Sequence, residues 1–236
     1  MCSGRVDLEF VLRAFANGMD GVFIGGCRLG ECNYTTHGNY HALNMVLLAK
    51  KILEHIGLNP DRLNVDFMSS GEGQLYTELV NEFTEQVREL GPLGSGDEVS
   101  GDELKARIAE VSKLVPYIKV RQKDKLAQRP PEGDYGEFYT LEEIDHLFDE
   151  VASYYIDPAK CQACGICARR CPVGAIDGGK NLVHVIDQDL CIKCGTCYAA
   201  CPPRFDAIQE IIGEPAPPPP PEDQRAVQKK PKQASA

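Results

Sequence analysis

No stretch of this 236-residue sequence approaches the roughly 18 consecutive apolar residues that a membrane span needs, so no membrane partner is expected. The N-terminus lacks a charged segment followed by an apolar core, and no secretory signal is read there. Basic residues are in the minority, 25 Lys and Arg against 35 Asp and Glu, for a net charge of −10. Phosphate binding wants a basic patch or helix, so nucleic acid is excluded as a partner and transcriptional sensing as a role. Nor are there paired carboxylates, a nucleophile–base set or a flavin site, and no substrate of the chain's own is expected. Gly21, Gly25, Gly26 and Gly30 do not make G-x-G-x-x-G, which leaves no nucleotide fingerprint. His37 and His41 are four apart, but residue 38 is Gly where a metalloprotease helix needs Glu, so ordinary helix residues are expected.

Cysteine is what the sequence has in excess. Its hydrophobic share of 43% and charged share of 25% suit a soluble globular protein, so the 11 cysteines are the outlier. Their number is odd and they are clustered, which suits metal ligation in a reducing compartment better than a disulfide framework. A cytoplasmic location is expected on that ground.

Four regions are expected. Residues 1–92 read as α/β: a helix over 7–17, a buried strand over 21–26, a helix over 40–56, a strand over 63–68 and a helix over 74–90. Strand and helix alternate, so a parallel sheet with covering helices is predicted. Residues 93–155 read as a linker or docking segment with two helices, over 102–114 and 141–154, and loop over 119–136. Ser100 with Glu103, and Thr140 with Glu143, form capping-box patterns ahead of those helices. Residues 156–212 hold most of the cysteines. Residues 213–236, opening on Pro217 to Pro221, read as a disordered proline-rich tail.

The cysteine-rich region is an internal repeat. Cys161, Cys164, Cys167 and Cys171 with Pro172 give C-x2-C-x2-C-x3-C-P, and Cys191, Cys194, Cys197 and Cys201 with Pro202 repeat it thirty residues later. Three thiolates two residues apart can wrap one iron–sulfur cubane, while the fourth is carried off toward the other. Crossed ligation follows: Cys161, Cys164, Cys167 and Cys201 for one [4Fe–4S] cluster, and Cys171, Cys191, Cys194 and Cys197 for its twin. Structural zinc takes separated C-x2-C pairs, which this pattern does not offer. The region resembles the bacterial-type dicluster ferredoxins, an α+β fold. Residues 183–186 read as a strand between the halves. His184 on it is expected as a surface or packing residue, since eight thiolates already satisfy both clusters.

Cys27 and Cys32 lie in the loop after the first strand, at the carboxyl edge of a parallel sheet, where cofactors bind, and Cys2 at an adjacent loop-to-helix turn. Three thiolates suggest a further metal site, one short of a four-cysteine [2Fe–2S] set. The strings CSGRVD (2–7), GCRLGECNY (26–34) and HGNYHA (37–42) resemble the delta subunit family of methyl-viologen-reducing hydrogenases over residues 1–92. That resemblance implies a [2Fe–2S] cluster on Cys2, Cys27 and Cys32. It also implies an electron relay from a hydrogenase or formate dehydrogenase to the flavin-containing subunit of heterodisulfide reductase, in an electron-bifurcating, hetero-oligomeric complex. Family members carry about thirty-five further N-terminal residues with a C-x2-C motif, about one βα unit and a strand. Either that unit lies upstream of this Met1, or this form lacks it and the site is incomplete or completed by another chain. The other reading is a free ferredoxin-type carrier with an accessory domain, steered to basic partners by its acidic charge.

Overall fold

Asp7 accepts the backbone N–H of Glu9 at 3.1 Å and so starts helix α1 (Leu8–Ala16), which buries Leu8, Val11, Leu12 and Phe15 on one face. In the computed structural model, which describes residues 2–34, 37–99, 101–131, 133 and 135–227, the chain divides into two compact units, Met1–Leu147 and Phe148–Ala236. Among the described residues no helix is long and apolar enough to cross a membrane.

In the first unit α1 leads to strand β1 (Val22–Gly26), helix α2 (Asn39–His55), strand β2 (Leu63–Phe67) and helix α3 (Gly73–Leu90). β1 and β2 pair in parallel, with Val22 opposite Leu63 and Gly26 opposite Phe67. The expected parallel sheet is present, but it has only these two strands among the described residues. α2, the crossover between them, is buried on nearly every side: Ala42, Leu43, Met45, Val46, Leu48 and Ile52 are all inside. Leu47 is only partly buried, while its neighbour Leu48 lies inside.

Residues 93–147 are part of this unit rather than a connector. Helix α4 (Gly101–Arg121) packs on α1 and buries Leu104, Ile108, Val111, Val115, Tyr117 and Ile118. It runs seven residues past the expected end at 114, through Pro116, and a short helix α5 (Lys123–Leu126) follows where loop was expected. A proline inside a helix costs about 3 kcal/mol, and each large apolar side chain buried returns about 1.5–3 kcal/mol. Val115, Tyr117 and Ile118 cluster round that proline, and Tyr117 Oη also donates to the Leu147 carbonyl at 3.0 Å. Buried Asn44 on α2 donates to the carbonyls of Lys125, Leu126 and Gln128 at 3.3, 3.1 and 2.7 Å, which ties the end of α5 to the core.

The loop entering α4 is closed by a buried ion pair. Arg62 and Asp97 have no side-chain exposure, and Arg62 Nε lies 3.1 Å from both Asp97 carboxylate oxygens. The remaining guanidinium hydrogens reach the carbonyls of Asp20, Leu90, Gly91, Pro92 and Ser95 at 2.9–3.2 Å. Ser100 of the first capping-box pattern lies outside the described residues. The second is formed: Thr140 N–H donates to Glu143 Oε2 and Glu143 N–H to Thr140 Oγ1, at 3.0 and 3.2 Å, heading helix α6 (Leu141–Asp149).

α6 ends five residues before the expected 154, because Ala152–Ile156 is strand β3 of the second unit. After it come helix α7 (Ile166–Arg170), strands β4 (Ile176–Gly179) and β5 (Leu182–Ile186), helix α8 (Thr196–Ala200) and strand β6 (Ile208–Ile212). β3 pairs antiparallel with β6, and β4 with β5, giving two small ribbons. Their inner faces pack Tyr154, Ile156, Ile176, Val183 and Ile186 around Cys161, Cys167 and Cys197.

The expected disordered tail takes a defined course as far as residue 227. Val183 N–H donates to the Arg225 carbonyl at 2.7 Å and Val227 N–H to the Asn181 carbonyl at 3.0 Å, so the chain runs along β5. Arg225 Nη1 pairs with Asp177 at 3.1 Å, and its Nε donates to the Pro220 carbonyl at 3.1 Å. The open edge of β5 supplies what composition does not show, a set of unpaired backbone groups. Residues 228–236 of that tail lie outside the described residues.

Candidate metal centres

The two C-x2-C-x2-C runs fold alike. In each, the residue before the second cysteine has positive φ (Ala163 at 51°, Lys193 at 57°), and the residue after it is a left-handed glycine that begins the short helix (Gly165 at 70°, Gly195 at 71°). Side chains other than glycine's rarely adopt such angles, and their use in both halves points to backbone bent to fit something. Backbone N–H groups approach the sulfurs in both halves, Ala168 at Cys167, Lys193 at Cys191 and Tyr198 at Cys197.

Two hollows result, and they divide the eight thiols between them. One, of about 280 Å³, is lined by Cys161, Cys164, Cys167 and Cys201 together with Ile156, His184, Phe205 and Ile208. The other, of about 310 Å³, is lined by Cys171, Cys191, Cys194 and Cys197 together with Tyr154, Ile176, Ile186 and Ile192. Each takes three cysteines from one run and the last cysteine of the other. Ala175 N–H donates to Cys171 Sγ at 3.3 Å, and Cys194 Sγ lies 3.2 Å from Thr196 Oγ1. No three His, Cys, Asp or Glu side chains among the described residues are placed to hold a single metal ion. Four thiols spread round the wall of each hollow fit a four-cysteine iron–sulfur cluster.

The electrostatics agree with that fit. Burial pushes the Cys167 thiol up to about 11 and the Cys197 thiol up to about 12, and raises Cys191 as well. Thiols so placed stay protonated at neutral pH unless iron supplies the opposing charge, so cluster loading must release protons.

Cys2, Cys27 and Cys32 also come together, at the N-terminus of α2. Cys2 Sγ and Cys32 Sγ are 3.5 Å apart, and Gly4 N–H approaches Cys2 Sγ at 3.4 Å. Asn39, 1% exposed in the first turn of α2, donates its Nδ2 to the carbonyls of Cys27 and Arg28 at 2.9 and 2.5 Å, and lies 3.8 Å from Cys27 Sγ. Burial opposes ionisation of Cys32, but the backbone N–H groups of Tyr34 and Asn39 outweigh it and hold this thiol below its ordinary range. Cys27 moves the other way, raised by burial and by Cys32 beside it. A Cβ on Gly38 would collide with Cys32 Sγ and the Tyr34 carbonyl, so only glycine allows this approach. His37 and His41 have ring centroids 6.1 Å apart.

Three participants were not singled out from the sequence as parts of a site. Asn39 is one; its polarity at a helix start gave no sign of burial. The others are Tyr154 and His184, which stand seven residues before Cys161 and Cys191 and line the two hollows. His184 is 4% exposed, so it is not the surface residue that was one of its expected roles. Carrying the thirty-residue repeat upstream of the cysteines would have paired them.

Comparison with known proteins separates the same two parts. The family model described as methyl-viologen-reducing hydrogenase, delta subunit, matches residues 1–91, and that of a 4Fe–4S binding domain matches 154–177 and 184–204. The chain is 45% identical over 91 residues to an F420-non-reducing hydrogenase iron-sulfur subunit of Archaeoglobus profundus, covering 39% of this chain and 66% of that one. It is 44% identical over 92 residues to the F420-non-reducing hydrogenase vhu iron-sulfur subunit of Methanopyrus kandleri, covering 39% and 69%. A further match, 43% over 95 residues, is to one subunit of the ferredoxin:CoB-CoM heterodisulfide reductase of Methanosarcina mazei, covering 40% of this chain. The chain thus spans only 12% of that reductase protein, and about two thirds of the hydrogenase proteins. Distinctive loops, three gathered cysteines and these matches agree: the chain belongs to the methyl-viologen-reducing hydrogenase delta subunit family, with a 4Fe–4S binding module behind the family domain.

Proposed function

We propose that this chain is an iron–sulfur electron-transfer subunit that relays electrons from a hydrogenase or formate dehydrogenase to the flavin-containing subunit of heterodisulfide reductase, within an electron-bifurcating complex. The observation that carries the relay is the division of eight thiols between two hollows. Cys161, Cys164, Cys167 and Cys201 would hold one [4Fe–4S] cluster, and Cys171, Cys191, Cys194 and Cys197 the other. When bound, the clusters accept and pass single electrons. The chain's own part is to fix them, exclude water with Ile156, Ile176, Ile186 and Ile208, and orient backbone N–H groups toward sulfur.

At the other end, Cys2, Cys27 and Cys32 would bind a [2Fe–2S] cluster, with Asn39 and the first turn of α2 stabilising the thiolates. A fourth ligand would come from upstream sequence or another chain. Relatives named as iron-sulfur subunits of hydrogenases and as part of a heterodisulfide reductase support a place between those enzymes. Formate as the upstream donor, and bifurcation, rest on the family resemblance alone.

Two experiments test this. Native purification should recover the chain with catalytic and flavin-containing subunits; a lone species of 25.9 kDa would favour the free carrier and overturn the subunit reading. Iron analysis of serine variants tests the crossed ligation. Cys164→Ser and Cys171→Ser should each lower the module's iron from about eight to about four per chain, and the double variant should remove nearly all of it. Should the double variant keep about four, both cysteines would serve one cluster and the crossed sets would be wrong.

A further inference from the structure

Among the positions at which the module's two halves differ, one matched pair stands beside the two hollows on strands. Tyr154 on β3 and His184 on β5 hold equivalent places, each seven residues before a first cysteine. Each crosses to the other half: Tyr154 lies against Gly195 in the hollow of Cys191, Cys194 and Cys197, and His184 against Gly165 in the hollow of Cys161, Cys164 and Cys167.

Their polar atoms are used differently. Tyr154 Oη donates to Glu210 Oε1 at 2.8 Å. His184 Nδ1 is fully buried and has no hydrogen-bond partner among the described residues. Buried polar atoms rarely go unpaired, and each one left so costs about 1–3 kcal/mol. The groups facing the imidazole are Asp177 on β4 and Arg169 on α7. Whatever its charge state, the imidazole carries at least one ring N–H to donate. With no acceptor at Nδ1 the ring proton belongs on Nε2, the ring atom nearest Gly165, and in the hollow beside that glycine its acceptor would be a sulfur.

We propose that His184 donates a hydrogen bond to the cluster on Cys161, Cys164, Cys167 and Cys201 and sets its potential above that of its twin, so that the module passes electrons in one direction. This rests on the two-cluster reading above. A donor to sulfur stabilises the more negative, reduced cluster and so raises its potential. The Tyr154 side offers a ring whose hydroxyl is bonded to Glu210. Electrons arriving at the Tyr154-flanked cluster would therefore run downhill to the His184-flanked one.

The test is an EPR-monitored redox titration of the full chain, with iron content measured alongside. His184→Phe keeps the ring and removes the donor; it should lower one of two midpoint potentials, leave the other in place and keep all the iron. The potential that moves should be the one missing from Cys164→Ser. His184→Gln, whose amide can stand near the Nε2 position, should restore it. Full iron with neither potential moved, or with both moved equally, would overturn the proposal. So would loss of iron in both His184 variants, which would make the residue structural. Absence of iron from the unmutated chain would instead sink the two-cluster reading itself.

Discussion

Stripped of iron, the second unit is expected to lose its cooperative thermal transition while the first unit keeps its own. Cys161, Cys167 and Cys197 belong to the small core of Phe148–Ala236, and two hollows of about 280 and 310 Å³ open beside them. Metal held by those thiols ties the two halves of the repeat together, and in small metallo-domains the free energy of metal binding is free energy of folding. Two ribbons and two five-residue helices offer little core beyond it. The first unit has its own apolar core around α2 and does not depend on metal for it. Calorimetry of the chain before and after chelation should show one transition disappear and the other persist. Two transitions in the metal-free chain would show that the ribbons fold without clusters.

Replacing Arg62 by Met should be the most damaging single change in the first unit. It would leave the Asp97 carboxylate buried without a counter-charge and five carbonyls without their donor. Breaking a buried pair from one side costs about 3–5 kcal/mol. In a unit of this size that lowers the melting temperature by roughly 10 °C. The exposed pair Arg88–Glu85 is the comparison: Arg88→Met should shift stability by under about 0.5 kcal/mol. Adding Asp97→Leu to Arg62→Met should recover part of the loss, because it removes the stranded charge. Equal effects at Arg62 and Arg88 would mean that the buried pair is ornamental. The expected loss is structural, so iron bound by the second unit should not change in Arg62→Met.

Most of the local structure was legible in the sequence, for reasons visible in its caps and periods. Asp7, Thr140 with Glu143, and the apolar stripe of α1 act over one turn of helix and need no distant partner. What sequence reading misplaced depends on partners far along the chain. β3 becomes a strand because β6, more than fifty residues away, pairs with it; alone, residues 152–154 continue a helical pattern. α4 outlasts Pro116 because α1 and the Leu147 carbonyl receive its far end. α2 carries no clean polar face because nearly all of it is inside, with Asn44 and Asn39 buried to hold other segments. The cysteine spacing gave which thiols could share a cluster. It did not give Tyr154 or His184, since neither residue type announces a place beside sulfur.

The segment that runs back along β5 has a further consequence for how copies of this protein coexist. An open strand edge is a template on which a second chain can add, the first step toward insoluble aggregates. Residues 225–227 occupy that edge through Val183, Asn181 and the bridge between Leu182 and Ala226. Charge assists, since Arg225 is fastened to Asp177 on the neighbouring strand. The segment that read as disorder thus takes up the edge of the ribbon at Asn181 to Val183, and crowded copies of the module are left less of that edge to join.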